Sequence, residues 1–562
     1  MRPPALNPSA YLDTFARDRL PTAEQWPDLL LSGDFVYPDR LNAAGRLLDD
    51  AVREGFGDRV AIVSRNLAGT FTETTYRELQ RQVDAIAHVL VRDMKLVTGN
   101  RVLLRGYNGA PLAAAWLAVL KAGGIAVTTM PMLRATELQA VIDKAQCTHA
   151  LCDLRLDVEL KAAIAGSTSA ASTSPANPTA LQVRYWTNDS SMPSSLNMLV
   201  DQHTDPFHAV QTSSDDVCLI AFTSGTTGVP KGCVHFHRDV MAMCDGFSAQ
   251  VLKLSSGDRC IGTPPLAFTF GLGALLAFPM FARGSAVLLE SATPETLLDA
   301  IAQTRATVTA TAPTFYRLMA LAIEREPARY DTSSLTQSIS AGEALPPATR
   351  DAWRNATRIE MLDGIGATEM IHIFIAAAGR DVRPGAIGKA VPGYEVTILG
   401  EHLEHLSAGE TGRLAVRGPT GCRYLADDRQ TNYVQHGWNL TGDACTMDAD
   451  GYVYFKARTD DLIISSGYNI GAPEVEAAVL SHESVAECAV VGLPDAERGQ
   501  CVTAFVVLKP SHRPTPETAR DIQDHVKRTI APYKYPRSVI FRDALPKTET
   551  GKLQRFRLKE ST

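Results

Sequence analysis

Short β-branched runs separated by helical stretches recur through much of this chain, and that alternation restricts its fold more than any other feature. The segment YRELQRQVDAIAHVLV (residues 76–91) sets apolar residues at helical spacing. GIAVTTM, GSAVLLE and TRATVTATAP each read as a short buried strand. Strands alternating with helices pair in parallel, with the helices covering the faces, so an α/β architecture is expected. At 562 residues the chain exceeds what one hydrophobic core serves, and several domains or subdomains follow.

From Pro384 the texture changes. GYEVTIL, GRLAVRG and GYVYFKAR are short alternating strands bounded by glycine, which reads as a small antiparallel or barrel-like subdomain. After Arg458 the pattern is strand, turn, helix, strand, the start of an α+β unit running to the C-terminus. The boundary is placed at Thr459–Asp460–Asp461, giving domains 1–459 and 460–562. The Ser/Thr/Ala/Pro stretch at residues 166–179 has no periodicity and reads as an exposed loop without chemistry.

The formal charge of -7 is modest and supplies no electrostatic footprint for nucleic acid. Ten cysteines are scattered without C-x-x-C spacing, which fits reduced, mostly buried thiols and a cytoplasmic location. No apolar signal region opens the chain. The best apolar run, PLAAAWLAVL, meets Lys121 at once and is far short of the ~20 residues a spanning helix needs, so a buried helix and no membrane association are expected.

The segment FTSGTTGVPKG (residues 222–232) concentrates glycines and hydroxyls ahead of Lys231. A strand, DVCLIAF, leads in, and a helix containing HRDVMAMCDGF is expected to follow. Glycines after a strand let backbone N–H groups close on phosphate oxygens, and the lysine adds charge. The spacing is nevertheless not that of the P-loop, because Pro230 precedes Lys231 and Gly232 stands where a serine or threonine is required. His235 and His237 lack third and fourth ligands nearby and read as helix-start or surface histidines.

TSGTTGVPKG resembles the signature loop of the adenylate-forming acyl-CoA synthetases, a superfamily that includes nonribosomal peptide adenylation domains and luciferases. GIGATE (364–369), TGD (441–443), RTDDLIISSGYNI (458–470) and PKTETGK (546–552) match its other motifs in order. The resemblance implies a large N-terminal domain of two α/β subdomains plus a small β-barrel-like subdomain, followed by a small mobile α+β C-terminal domain. It implies ATP, Mg²⁺ and coenzyme A as cofactor and co-substrates. A carboxylate would attack the α-phosphorus of ATP, and a thiol would then displace AMP from the acyl-adenylate.

The resemblance also assigns residues. Thr223, Ser224, Gly225, Thr226, Thr227, Gly228 and Lys231 would wrap the β- and γ-phosphates, and Glu369 would hold the metal. Thr368 would bond the α-phosphate. Asp443 would take the ribose hydroxyls, assisted by Arg458. Gly342, Glu343, Ala344, Asp363 and Gly364 would line the adenine. Lys552 would be the catalytic lysine, Asp460 the hinge, and Gly467 with Tyr468 would line the pantetheine tunnel after domain rotation. Ala457 stands where the family usually has glycine, for which a local adjustment is expected.

PPLAFTFGLG (264–273) and DGIGATEMIHIFI (363–375) resemble the benzoate- and 2-aminobenzoate-CoA ligase branch. An aryl acid needs a flat apolar slot. Phe268, Phe270, Gly271, Ile365, Gly366, Ile371 and Phe374 are its candidate walls, with Thr269 and His372 as polar contacts to a ring substituent. The function so implied is an aryl-CoA ligase, with loading of a separate phosphopantetheinyl carrier protein as the alternative. A nucleotide-sensing binding module is a more distant reading. A homodimer and a lysine acetyltransferase acting on Lys552 complete the candidate partners.

Overall fold

The computed structural model describes residues 6–167, 181–187, 195–223, 230–458, 462–465, 468–495, 499–530, 534–547 and 553–560. The first sheet has six strands, in the order Gln182–Trp186, His149–Asp153, Arg101–Arg105, Ile125–Thr129, Val217–Thr223, Lys231–Phe236. All neighbours are parallel except the last pair, which is antiparallel. Helix Ala110–Lys121 contains the long apolar run and is buried from Leu112 onward. It ends on Lys121, whose buried ammonium is neutralised by Asp49 at 2.6 Å and by Asp84. No described helix is long and apolar enough to cross a membrane.

The second sheet has nine strands. Its parallel centre runs Val60–Arg65, Ser285–Leu289, Arg259–Gly262, Val308–Thr311, Gln337–Ala341, Met361–Gly366. Antiparallel strands close both sides: Phe71–Thr75 at one edge, Ile373–Ala376 and Lys389–Ala390 at the other. Helix Tyr76–His88 starts at a capping box in which Thr75 and Glu78 bond each other's backbone N–H. It buries Tyr76, Leu79, Val83 and Ile86, the face that helical spacing predicts.

Strand periodicity explains how the two sheets share a core. Leu104 and its neighbours face a cluster that includes Ala286, Ile339 and Ile375 of the long sheet. Leu103, one residue away and on the opposite face, packs with Leu138 and Ile142. The α/β expectation is met.

The expected barrel-like closure is not. Glu395–Leu399, Thr411–Arg417, Trp438–Met447 and Val434–Gln435 form an open antiparallel sheet, with Val453–Arg458 paired to the far half of Trp438–Met447. Ile398, Leu414, Val416, Cys445 and Val453 join the shared core. The apolar face is thus covered by the rest of the large domain, and no closed interior is required to bury it.

The C-terminal sheet runs Tyr468–Gly471, Leu462–Ser465, Gly499–Leu508, Val485–Asp495, with Ser538–Phe541 parallel to Gly499–Leu508. Helices Ala472–Leu480 and Pro516–Thr529 bury Val475, Val479, Ile522 and Val526 in a core of its own. One added strand, Tyr468–Gly471, distinguishes this unit from the sequence pattern. Ala457 is fully buried opposite Ala444.

Candidate active site

The glycine-rich segment joins strand Val217–Thr223 to strand Lys231–Phe236, with Thr223 opposite Lys231 in the antiparallel ladder. Ser224, Gly225, Thr226, Thr227 and Gly228 lie outside the described residues. The expected helix over HRDVMAMCDGF begins at His237, after the strand Lys231–Phe236. A hairpin therefore carries this loop, and among the described residues no helix N-terminus stands at its base. The Thr223 hydroxyl is buried and finds no partner among the described residues.

His235 and His237 are not surface residues: both are fully buried. His237 Nδ1 accepts the Ala43 N–H at 3.1 Å, and its Nε2 lies 3.3 Å from Tyr11 Oη. Burial pushes His237 down to about 3 and His235 to about 4, so both are neutral. They belong to the packing beneath the hairpin.

The edge of strand Lys231–Phe236 is extended by a distant segment. The Val234 N–H donates to Arg423 O and the Leu425 N–H to Gly232 O, each at 2.8 Å. Arg423 is locked there by Asp239 at 2.6 Å, both side chains fully buried, with its guanidinium 4.2 Å from the Phe236 ring centroid. This places Tyr424 beside Lys231. Lys231 Nζ donates to Tyr424 Oη at 2.9 Å, and the Tyr424 hydroxyl donates to Glu369 Oε1 at 2.5 Å. Lys231 Nζ is itself 3.7 Å from Glu369 Oε1. Burial, then the Glu369 charge, push the Tyr424 phenol far up, so it stays protonated.

Glu369 sits in the one-turn 3₁₀ helix Thr368–Met370, which packs on both strands of the hairpin. The residue after it, Ile371, has φ +66 and is fully buried. A β-branched residue in that region is a genuine backbone outlier, held by its surroundings. Thr368 is half-buried on the same turn.

Asp443 and Arg458 meet as expected. Arg458 Nη1 donates to Asp443 Oδ1 at 2.8 Å and to Thr441 O at 2.9 Å. Gly442 between them has φ +77, the left-handed region that favours glycine. Burial raises the Asp443 carboxyl, Arg458 opposes this, and Glu369 adds to the rise. Asp363 and Gly364 lie on strand Met361–Gly366, opposite Ser340 and Ala341. Burial pushes Asp363 up to about 7, with Arg350 and Ser340 opposing. Gly342 turns with φ +90, and Glu343 Oε2 accepts the Thr314 hydroxyl at 2.7 Å. Ala344 is exposed beside it.

Phe268 caps the short helix Thr269–Leu272. Any Cβ on Gly271 would lie 2.1 Å from Pro265 O, so no side chain fits. His372 comes against this helix and its Nε2–H donates to Phe270 O at 3.3 Å. Its ring sits in an aromatic box, 4.5 Å from Phe278, 5.4 Å from Phe247 and 5.8 Å from Phe270. Burial pushes it down to about 3, and Nδ1 has no partner among the described residues. Ile365 is half-buried, and Gly366 lies against His372 O. Phe374 turns away to pack near Tyr394, 6.5 Å between centroids. Asp460, Gly467 and Lys552 lie outside the described residues, as does the Tyr468 side chain. A separate groove of about 1560 Å³, lined by residues such as Arg46, Asp49, Asp84 and Lys121, contains none of these groups.

Residues 48–424 match the AMP-binding enzyme family, and residues 474–552 match the AMP-binding enzyme C-terminal domain. This chain belongs to the AMP-binding enzymes. Benzoate–CoA ligase of Thauera aromatica is 32% identical over 530 residues, covering 93% of this chain and 97% of that protein. Human mitochondrial acyl-coenzyme A synthetase ACSM5 is 33% identical, covering 88% and 85%. Among solved structures, the anthranilate CoA ligase AuaEII in complex with anthranoyl-AMP superposes with a TM-score of 0.86 at 30% identity, covering 94% of this chain and 99% of that one. A benzoate CoA ligase from Burkholderia xenovorans LB400 gives 0.81 at 28%, covering 92% and 99%.

For an AMP-binding enzyme, whose family uses ATP and CoA as substrates, the arrangement is chemically coherent. The arrangement joins a lysine to a buried carboxylate through Tyr424 and sets a second buried carboxylate, Asp443, against Arg458. Two residues in it escaped the sequence reading. Tyr424 and Tyr433, 5.9 Å apart edge to face, sit in a segment whose glycine and charge pattern marks nothing. Magnesium fits only as a substrate-borne ion: Glu369 offers one buried carboxylate, and no cluster of three acidic, histidine or cysteine side chains suited to a metal occurs among the described residues. That is the donor set of a cation held by one or two carboxylates and by substrate phosphates.

Proposed function

We propose that this acyl-CoA ligase activates an aromatic carboxylic acid, 2-aminobenzoate or benzoate, as its acyl-adenylate and passes the acyl group to coenzyme A. The observation that carries the reading is the Lys231–Tyr424–Glu369 chain of hydrogen bonds, with the Asp443–Arg458 pair as the acidic site beside it in the family's motif order. An anion attacking a polyanion needs placed positive charge and fixed donors, and here both are built on sheet edges. Lys231 with residues 223–228 would hold the departing pyrophosphate. Asp443, oriented by Arg458, would accept the ribose hydroxyls, while Asp363, Gly364 and residues 342–344 line the adenine. Thr368 and Lys552 would act at the α-phosphate, and Glu369 would hold Mg²⁺, which when bound neutralises phosphate charge.

The domain boundary belongs at 459/460, with Asp460 as the hinge. Rotation there exchanges Lys552 for Gly467 and Tyr468 at the cleft, so that one site runs two steps. The ten thiols support a reducing, cytoplasmic setting. Acetylation of Lys552 would remove its charge and stop the first step alone, which mass spectrometry of native protein and half-reaction assays would detect.

The pocket supports an ortho-substituted ring. His372 is neutral, and its Nδ1 is left as an acceptor in an otherwise aromatic box. Pyrophosphate release should be measured with benzoate, 2-aminobenzoate, salicylate, 4-hydroxybenzoate, phenylacetate and hexanoate. The highest kcat/KM is expected for 2-aminobenzoate or benzoate, and a preference for hexanoate would refute the aryl reading. His372→Ala should change the 2-aminobenzoate to benzoate ratio of kcat/KM.

A further inference from the structure

Tyr433 closes the four-residue helix Gln430–Tyr433 and precedes the strands that carry Asp443. Its ring meets Tyr424 edge to face, 5.9 Å between centroids. The two phenols then differ. The Tyr424 hydroxyl is satisfied on both sides by Lys231 and Glu369. The Tyr433 hydroxyl is buried and has no hydrogen-bond partner among the described residues.

An unpaired buried hydroxyl is costly, and phenylalanine would fill the same ring volume without that cost. The hydroxyl calls for a partner that arrives. Its surroundings narrow the choice. Burial, then the charges of Glu369 and Asp443, hold the proton on the oxygen, so the group is a donor. Its ring neighbour Tyr424 holds Glu369, at the metal-holding side, and the next residue, Val434, pairs with Asn439 on the strand that carries Asp443, at the ribose side. The part of a bound nucleotide spanning those two carboxylates is its 5′ end, where the sugar meets the α-phosphate.

Resting on the adenylate-forming reading of the cleft, we propose that the Tyr433 hydroxyl is a nucleotide-contacting donor to the α-phosphate. The buried Thr223 hydroxyl, also without a described partner beside Lys231, would serve the distal phosphates in the same way. The two orphan hydroxyls then mark the two ends of the triphosphate.

The test compares wild type with Tyr433→Phe in the full chain by calorimetric titration with AMP, with the non-hydrolysable ATP analogue AMP-PNP, and with adenosine. Thermal midpoints without ligand are recorded alongside. A neutral donor to a charged acceptor predicts about a 10- to 100-fold loss of AMP and AMP-PNP affinity. Adenosine affinity should hold within about twofold, and the ligand-free midpoint should be unchanged or higher, since an unpaired polar group has been removed.

Unchanged AMP affinity with a lowered midpoint would overturn the proposal and make the hydroxyl a water-bound structural group. An equal loss with adenosine would move the contact to the ribose and overturn the phosphate assignment. If wild type binds AMP but turns over no acid, the ligase reading falls while the Tyr433 comparison still decides this one. If wild type binds no nucleotide, both fall.

Discussion

Asp363→Asn should stabilise the ligand-free protein, and by an amount that grows with pH. Asp363 is 9% exposed, faces Ser340 across the parallel ladder, and titrates at about 7 instead of 3.8 because burial penalises its charge. Arg350 and Ser340 oppose this only in part, the Arg350 guanidinium being engaged by Glu360 at 2.9 Å and Met361 O at 3.1 Å. The folded state therefore binds the proton more tightly than the unfolded state. Stability from the neutral carboxyl is fully present below about pH 3.8 and is lost as pH rises to 7. A gap of about three pH units corresponds to about 4 kcal/mol above pH 8, and to about 2 kcal/mol at pH 5. Asparagine has the same shape and no charge to bury. The variant's advantage over wild type should widen by about 2–3 kcal/mol between pH 5 and pH 8.5. Scanning calorimetry of the large-domain transition at both values reads this as a widening of the midpoint difference by a few degrees. An equal difference at the two pH values would refute the burial argument, and a variant less stable at pH 8.5 would show that the carboxylate is held charged by a partner.

Lys552→Ala should cost far more of the adenylation rate than Lys231→Ala, measured as acid-dependent pyrophosphate release; the reverse order would undo the division between a pyrophosphate clamp and an α-phosphate cation. Tyr424→Phe lets Lys231 and Glu369, already 3.7 Å apart, close into a direct pair. About a tenfold fall in kcat/KM for ATP is expected with little change in thermal midpoint, as a lost charge-assisted hydrogen bond predicts. Asp239→Ala leaves the fully buried Arg423 guanidinium without its carboxylate. A loss of about 3–5 kcal/mol should appear in denaturant titration, and a stability within 1 kcal/mol of wild type would show that the pair is not a structural lock.

Much of this was legible in the chain. Alternating runs such as residues 76–91 and GIAVTTM led to parallel sheets because parallel strands must be covered by the helices between them. The sequence left an antiparallel or a barrel-like subdomain open, because short alternating strands suit both; only the packing of Leu414 and Val453 into the shared core decides for the open antiparallel sheet. The helix after the loop begins at HRDVMAMCDGF as read, but the strand KGCVHF that stands between them was not foreseen. Its pairing partners are Val217–Thr223 across the hairpin on one side and the distant residues 423–425 on the other. Tyr424 escaped for the same reason: it reaches Lys231 from 193 residues away by backbone pairing, which leaves no local signature. The positive φ of Ile371 runs against residue preference, so only the folded chain could disclose it.

The seam between strand Lys231–Phe236 and residues 423–425 also bears on recombination. A chimera that joins this chain to a homologue anywhere between Asp239 and Arg423 would set a strand from one parent beside a partner from the other. The backbone half of that seam is indifferent to parentage, because main-chain hydrogen bonds do not depend on side chains. The Asp239–Arg423 pair and the Lys231–Tyr424–Glu369 contacts are not indifferent. Crossovers that keep both sets from one parent should give folded, active hybrids, while those that split them should yield chains that assemble the sheet and lose the cleft.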